Sequence, residues 1–237
     1  MCSANLVEFC LLYDSARIID STRETQGGQV VGWKTYLVVI DDIVDEKVLL
    51  RAFNKEGRER VKQLTGAELF PASDFVVGTH NGCTIIGDPE IAMEMASEYE
   101  DSKVLSWVSS LGCSRVIACV LHSVVNLAAF SLFQDGRLVR AYACSADDGV
   151  FIDEGNRLEC EKELYAKFRT ETLDDGTLMY VDEHDEFDQS SLGEELVFDL
   201  LATVLGKRPD MDDKLFEIEV HSYSKPSKGL FSRLFGG

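Results

Sequence analysis

Residues 115–152 read RVIACVLHSVVNLAAFSLFQDGRLVRAYACSADDGVFI, a stretch of apolar and β-branched residues interrupted by turn signals. Two apolar runs, 115–121 and 127–133, come before Gln134-Asp-Gly136, which is a strong hairpin signal. Residues 138–145 return as a partner strand, and a second turn at 147–149 leads into a short strand at 150–152. The pattern predicts a central antiparallel meander.

The flanking segments are more mixed. Residues 34–40 form a nearly continuous apolar run, which is typical of a buried strand. Asp88 and Pro89 form a helix start, and we predict that this helix runs to residue 99. Ser191 and Glu194 fit a capping box ahead of a helix that stops at Gly206. The remaining predictions are helices at 45–51, 56–64, 103–110 and 159–168, strands at 83–86, 178–181 and 215–223, and a loop at 66–78.

The order of these elements indicates the fold class. Strands and helices do not alternate regularly, which favours α+β over a doubly wound α/β fold. We therefore predict a mixed, largely antiparallel sheet with a central β-meander and flanking helices. The domain prediction is an N-terminal extension at 1–31, a single α+β domain at 32–223 and a basic amphipathic tail at 224–237.

Charge and cysteine content narrow the classes of partner and compartment. The chain has 42 acids, 23 bases and a net charge of -19, a balance that repels nucleic acid. It attracts a basic protein surface, although solubility alone also explains it. Seven cysteines, an odd count without a Cys-x-x-Cys motif, predict reduced thiols. With no secretory signal or membrane-spanning stretch in the sequence, we expect a cytoplasmic protein, and a homo-oligomer remains open.

Several motifs follow one another in an order that carries a family resemblance. They are Gly32-Trp-Lys-Thr35, Leu121-His-Ser-Val-Val125, Asp135-Gly-Arg-Leu-Val-Arg140, Ser145-Ala-Asp-Asp-Gly149 and Leu192-Gly-Glu194. Over roughly 32–223 the chain resembles an uncharacterised, largely actinobacterial family of bacterial domains. The resemblance supports the fold prediction, and it supplies no catalytic residue because that family has no assigned activity.

Two pairs of residues are candidates for a pocket. His122 and Ser123 are neighbours on a strand and therefore point to opposite faces, so either would need a partner elsewhere, such as His80 or Asp135. A structural polar residue at a strand bend is the alternative, and we favour it. His80 and Cys83 flank a tight turn, and a Cys–His dyad is the catalytic hypothesis for them. A turn that happens to contain both residues is the alternative, and we favour it.

No motif predicts a cofactor or a metal. Residues 27–35 miss the phosphate-binding loop because Trp33, in place of a glycine, precedes Lys34. A strand rather than a helix is also expected to follow, which argues against an ATPase. The four histidines are scattered without ligand spacing. We expect no cofactor, no metal and, on balance, no enzyme.

An acidic segment at 174–188 holds seven acids and no Lys or Arg. It does not match a calcium-binding loop, whose acids alternate around a central glycine. A solvated loop is the default interpretation, and a docking patch for a basic partner is the alternative.

The tail carries the one informative functional pattern. On a helix, Leu230, Phe231, Leu234 and Phe235 share a face. Lys225, Lys228 and Arg233 give a local charge of plus three, and no acid follows Glu219. An anionic lipid surface selects this combination. The tail resembles the membrane-targeting sequence of the division-site ATPase MinD. A disordered tail that packs back on the domain is the alternative.

Three interpretations remain open at this stage. The first is a non-enzymatic peripheral protein on the inner face of the cytoplasmic membrane, bound through Lys228, Leu230, Phe231, Arg233, Leu234 and Phe235. The second is an acidic module for a basic partner, such as an immunity protein against a basic toxin. The third is an enzyme with a pocket near His122.

Overall fold

Two sheets form the framework of the computed structural model, which describes residues 33–226 except 175, 177 and 184. Nine strands form the large sheet in the order β2-β12-β3-β4-β1-β5-β6-β7-β8, and every pair is antiparallel. The strands are β1 (Lys34–Ile40), β2 (Glu59–Thr65), β3 (Phe75–His80), β4 (Cys83–Gly87), β5 (Arg115–His122), β6 (Leu127–Gln134), β7 (Arg137–Ser145), β8 (Gly149–Gly155) and β12 (Glu219–Ser224). A small sheet holds β9 (Arg169–Thr172), β10 (Leu178–Val181) and β11 (Glu186–Phe187).

Six helices complete the described part of the chain. They are α1 (Glu46–Ala52), α2 (Pro89–Ser97), α3 (Ser102–Leu111), α4 (Glu159–Tyr165), α5 (Gly193–Leu205) and α6 (Asp213–Glu217). The α+β class and the central meander are confirmed, because β5, β6, β7 and β8 are consecutive neighbours in the large sheet.

Both faces of the large sheet are covered. Leu37 and Val39 of β1 belong to a core cluster that includes residues of α4, α5 and the small sheet. Val38 and Ile40 belong to a second cluster with residues of α1, α2 and α3. Burial on both faces explains why β1 and β5 read as unbroken apolar runs and not as alternating patterns.

Local signals identify some elements correctly. The side chain of Asp88 accepts the backbone N–H of Ile91 at 3.0 Å, so this cap begins α2 as predicted. The turn at Asp135 and Gly136 connects β6 to β7, also as predicted. Gly206 caps the end of α5.

Other predictions are wrong, each for a physical reason. Residues 56–64 include good helix formers, but they contain most of β2, an edge strand held only by β12. Residues 75–80 form β3 although 66–78 was predicted to be a loop. The predicted strand at 215–223 begins too early, because α6 occupies Asp213–Glu217. The predicted capping box also fails: Asp188 accepts the N–H of Ser190 at 2.8 Å, and a 3₁₀ turn leads into α5.

Candidate functional site

Four of the five family-like motifs, all except 135–140, meet at one end of the large sheet, in a group of contacts that we call the Ser123 junction. The Trp33 backbone N–H donates to the Ser123 hydroxyl at 2.9 Å, and the Ser123 N–H donates back to the Trp33 carbonyl at 2.9 Å. The Ser123 hydroxyl itself donates to the Glu194 carboxylate. Nearby, the Ala146 N–H donates to the Val125 carbonyl at 3.4 Å. Segments that are distant in sequence are therefore tied together by four hydrogen bonds.

Strand ends place these groups. Lys34 pairs with His122, so β1 begins where β5 ends, and a 3₁₀ turn at Ser123–Val125 follows directly. Helix α5 begins at Gly193, which packs on Ala128 of β6. The helix start therefore brings the Glu194 carboxylate to the 3₁₀ turn.

The cavity at this junction is small. Its volume is about 30 Å³, and its polar lining includes Ser123, Ser190, Ser191 and Glu194. That volume suits a single water molecule. The Ser123 hydroxyl already donates one hydrogen bond and accepts another, so it is engaged as a structural tie. The geometry at Ser123 offers neither a free nucleophile nor room for a substrate.

His122 and His80 lie at opposite ends of the sheet. His122 pairs with Lys34 at the start of β1, whereas the β3–β4 hairpin that carries His80 adjoins Ile40 at the end of β1. Six residue steps along a strand correspond to roughly 20 Å. Asp135 is equally remote, because it follows the far end of β6 from Leu127. Neither suggested partner reaches His122 or Ser123.

His80 and Cys83 face each other across the two-residue turn at 81–82, and each bonds elsewhere. His80 Nε2 lies 2.8 Å from Asp212 Oδ2, and both side chains are buried. The Cys83 thiol donates to the Val204 carbonyl at 3.3 Å. Burial raises the pKa of Cys83, which keeps the thiol protonated. These contacts tie the hairpin to the segment around α5 and α6, and they do not activate a thiolate.

The other described cysteines are also poor nucleophiles. Burial raises the pKa of Cys119 to about 12, raises the pKa values of Cys144 and Cys160 to about 11, and also raises the pKa of Cys113. All five cysteines in the described part of the chain are free thiols. Within the same residues no group of three His, Cys, Asp or Glu side chains could hold a metal ion.

A buried ion pair lies beneath β8, the far edge of the large sheet. Arg140 and Glu161 are both fully buried, and Arg140 Nε lies 3.0 Å from Glu161 Oε2. The same guanidinium contacts Asp153 of β8 at 2.6 Å and donates to the Glu154 carbonyl at 3.0 Å. Burial works to lower the pKa of Arg140, but the two carboxylates outweigh it and raise the pKa. An arginine among the apolar residues of β7 was the sequence signal for this pair, and our sequence analysis did not use it.

The acidic segment at 174–188 is partly strand and partly turn. Residues 178–181 and 186–187 pair as β10 and β11 of the small sheet. The Asp185 N–H donates to the Asp182 side chain at 2.8 Å within the connecting turn. Asp188 caps the following 3₁₀ turn. Some of these acids therefore have local structural roles.

The predicted membrane-binding residues, Lys228, Leu230, Phe231, Arg233, Leu234 and Phe235, lie outside the described residues. The structure does give the point where the chain leaves the sheet. Strand β12 lies between β2 and β3, and its last residue, Ser224, pairs with Glu59 at the edge. Lys225 and Pro226 follow, and both are exposed.

Strand β2 and the residue before it form a basic edge beside this exit, which we define as Arg58, Arg60 and Lys62. Residues 51–65 hold five bases and two acids, so their local charge is positive in a strongly acidic chain. Arg60 and Lys62 are exposed. Arg60 pairs with Glu46 at 2.7 Å, and Arg58 donates to the Tyr223 carbonyl at 3.2 Å. The sequence analysis missed this surface because it assigned β2 as a helix.

In residues 33–226, apart from the three gaps, no helix is both long and apolar enough to cross a bilayer.

Comparison with known proteins gives one match. A family model described as a family of unknown function, DUF6928, matches residues 47–223, which is more than half of the chain. The comparisons with curated proteins and with solved structures give no match. The match covers the described elements from α1 to β12. The chain therefore belongs to DUF6928, an uncharacterised family of unknown function.

Proposed function

We propose that this chain is a non-enzymatic bacterial protein of the cytoplasm that binds peripherally to the inner face of the membrane through its C-terminal tail. One observation carries the proposal. After Glu219 the sequence contains three bases, no acid and four large apolar residues at helical spacing. In a chain of net charge -19, this reversal concentrates affinity for an anionic surface in the tail.

The fold is compatible with this role. The tail follows β12, whose last residue, Ser224, pairs with the edge strand β2, and Lys225 is exposed. The chain therefore leaves the fold at its perimeter and does not have to cross the core to reach a surface. The Ser123 junction and the His80 hairpin support the non-enzymatic part of the proposal, because their polar groups are engaged in structural hydrogen bonds.

The free energies indicate weak binding by one copy. Each base near an anionic leaflet contributes about 1 kcal/mol, and each large apolar side chain up to about 1.5–3 kcal/mol when fully buried. Ordering the peptide costs about 1–2 kcal/mol per residue. Binding is therefore marginal and reversible, and several tails in an oligomer would bind more tightly.

Liposome co-sedimentation tests the proposal. Vesicles of phosphatidylcholine with and without 30% phosphatidylglycerol (a composition of roughly physiological charge) are mixed with the full chain and with a chain that ends at Ser224. We expect binding only for the full chain and only with the anionic vesicles. Binding that is equal for both chains, or absent for both at high protein concentration, would overturn the tail as the anchor.

Two tail variants separate the contributions. Leu230→Gln with Phe235→Gln removes apolar area and keeps the charge, whereas Lys228→Gln with Arg233→Gln removes charge and keeps the apolar face. We expect both double variants to bind more weakly than the parent. Only the variant that keeps the charge, Leu230→Gln with Phe235→Gln, should bind in a way that remains sensitive to salt.

A basic protein partner is the second candidate function. Residues 141–156 hold four acids and no Lys or Arg, and they include β8 at the sheet edge opposite β2. Titration with a lysine-rich peptide, followed by heteronuclear NMR, would place such a site at Asp147, Asp148, Asp153 and Glu154. Shifts spread evenly over the whole acidic surface would argue against it.

A further inference from the structure

We infer that the basic edge is a second membrane contact, which rests on anionic lipid headgroups and holds the large sheet edge-on to the bilayer. The inference rests on the proposed tail anchor and adds a partner surface on the folded part of the protein. Its basis is the position of Arg58, Arg60 and Lys62 relative to the tail exit and to the opposite edge of the sheet.

A bulge places bases on both faces of the edge strand. Tyr223 of β12 pairs with Arg60, but the preceding Ser222 pairs with Lys62, so Val61 is an extra residue in β2. Paired residues of antiparallel strands share a face. Arg60 therefore lies on the Tyr223 face and Lys62 on the Ser222 face.

The packing on each face agrees with this assignment. Tyr223 belongs to the core cluster beneath α1, α2 and α3. Val220 lies two residues before Ser222 and belongs to the core cluster on the opposite face of the sheet. Leu64 lies two residues after Lys62 and packs against that same cluster. Because the bases flank the rim from both sides, the positive surface is the edge itself and not one face of the sheet.

These bases are available to lipid phosphates. Lys62 is exposed, and within the described residues no carboxylate lies at ion-pair distance from it. Arg60 bonds Glu46 in an exposed pair, in which the side chains are 51% and 37% exposed. Its Nη1 atom also lies 3.1 Å from His221 Nε2. Exposed pairs of this kind are weak and can exchange partners. Val61, which is 56% exposed, adds an apolar side chain between the two bases.

Distance removes the influence of the acidic strand β8. This strand lies eight strands away from β2, and at the usual strand spacing the two edges are roughly 40 Å apart. Electrostatic interactions decay over about 8 Å at physiological salt. An anionic membrane that touches the basic edge therefore scarcely senses β8, and the acids that it meets there are Glu46, Glu59 and Glu219. This arrangement allows an acidic protein to approach a surface of its own sign.

Charge removal at matched sites tests the second contact. Arg60→Gln with Lys62→Gln is compared with Arg137→Gln with Arg169→Gln, which removes two exposed bases from other parts of the protein. Both pairs have the same net charge. In co-sedimentation with anionic vesicles we expect the edge pair to bind about tenfold to thirtyfold more weakly, from about 1 kcal/mol per base, and the control pair to bind as the parent does.

Two results would overturn the inference, and both differ from failure of the tail anchor. If the edge pair and the control pair bind equally while truncation after Ser224 abolishes binding, the tail is the only contact. If the edge pair binds normally but self-associates, Arg60 and Lys62 serve to guard the edge strand against pairing with another chain. If truncation has no effect, the proposed function itself fails.

The orientation gives a second readout on the full chain. Val61→Trp adds a fluorophore at the basic edge, and Val139→Trp adds one beside β8 as a control. The fluorescence of each variant is compared with that of the parent in the presence of anionic vesicles that contain brominated lipids. We expect the lipids to quench the fluorescence of the added tryptophan in Val61→Trp and not in Val139→Trp. Equal quenching of both, or of neither when sedimentation shows binding, would exclude the edge-on arrangement.

Discussion

The two edges of the large sheet are opposites in charge and in construction. At β2 the charged groups are exposed, and the Arg60–Glu46 pair lies on the surface. At β8 Asp153 and Glu154 are exposed, but Asp153 also contacts Arg140, which forms a fully buried pair with Glu161. One edge is therefore tied into the core by a buried ion pair, whereas the charged groups of the other edge lie at the surface. The net charge of -19 conceals this division.

Removal of one partner of the buried pair should give the largest effect. Arg140→Met leaves the Glu161 carboxylate buried without its counter-charge, so we expect the free energy of unfolding to fall by about 3–5 kcal/mol. Arg60→Met, at the other edge, should cost less than about 1 kcal/mol. Urea unfolding of both variants measures the difference.

The double variant Arg140→Met with Glu161→Leu is the control. It removes both charges, so we expect it to recover most of the lost stability. If Arg140→Met costs no more than Arg60→Met, the two edges do not differ in the way described.

Two glycines at the edges give the next comparison. Gly155 ends β8 and Gly57 precedes β2, and both have φ in the left-handed region, at 85° and 82°. A Cβ on Gly155 would lie 2.2 Å from the Val139 carbonyl oxygen, whereas a Cβ on Gly57 would have no neighbouring atom within 4 Å. Gly57→Ala should cost about 1–2 kcal/mol from backbone strain alone, and Gly155→Ala about 2–4 kcal/mol because the carbonyl must also move.

Thermal unfolding followed by circular dichroism measures both glycine variants. Equal losses of stability in the two variants would mean that β7 and β8 separate easily. The acidic edge would then be packed no more tightly than the basic edge.

Acid titration of the basic edge should give the smallest effect. Partial burial works to raise the pKa of Glu46, but hydrogen bonds from Tyr223 and Arg60 outweigh it and lower the pKa below 4.5. Because the folded-state pKa is depressed, the contribution of Glu46 to stability is present above pH 4.5 and is lost as the pH falls through the folded-state value.

The variant Glu46→Gln removes that dependence. We expect the parent to lose a few tenths of a kcal/mol more than the variant between neutral pH and about pH 3, which is typical of an exposed pair. Urea midpoints at a series of pH values supply the data. A larger difference would mean that the basic edge contributes to the core after all.

The comparison of edges also explains what the sequence could predict. The meander and its turn at Asp135 and Gly136 depend on neighbouring residues, so their pattern is visible locally. Strand β2 depends on β12, and the contact from Arg58 to Tyr223 joins residues 165 positions apart. Its polar, helix-favouring composition reflects an exposed edge, and no local rule supplies the partner that makes it a strand.

The candidate sites also depend either on neighbouring residues or on residues far apart in the sequence, and only the first kind could be predicted. His80 and Cys83 are close because a two-residue turn makes them so, and the sequence predicts that proximity. The tie between Ser123 and Glu194 spans 71 residues, and Glu194 has the spacing of a helix cap. Because the cap pattern is local and the true partner is not, the sequence analysis assigned Glu194 the wrong role.

The insertion of β12 between β2 and β3 has a consequence for the order of events during synthesis. Within the described chain β2 has no other sheet neighbour, so its ladder cannot form until the ribosome has produced residues 219–224. Such distant pairings form slowly. The basic edge and the segment that leads into the tail are thus completed in the same late step. A nascent or truncated chain without β12 would lack both, so the membrane attachment that we propose would follow completed folding.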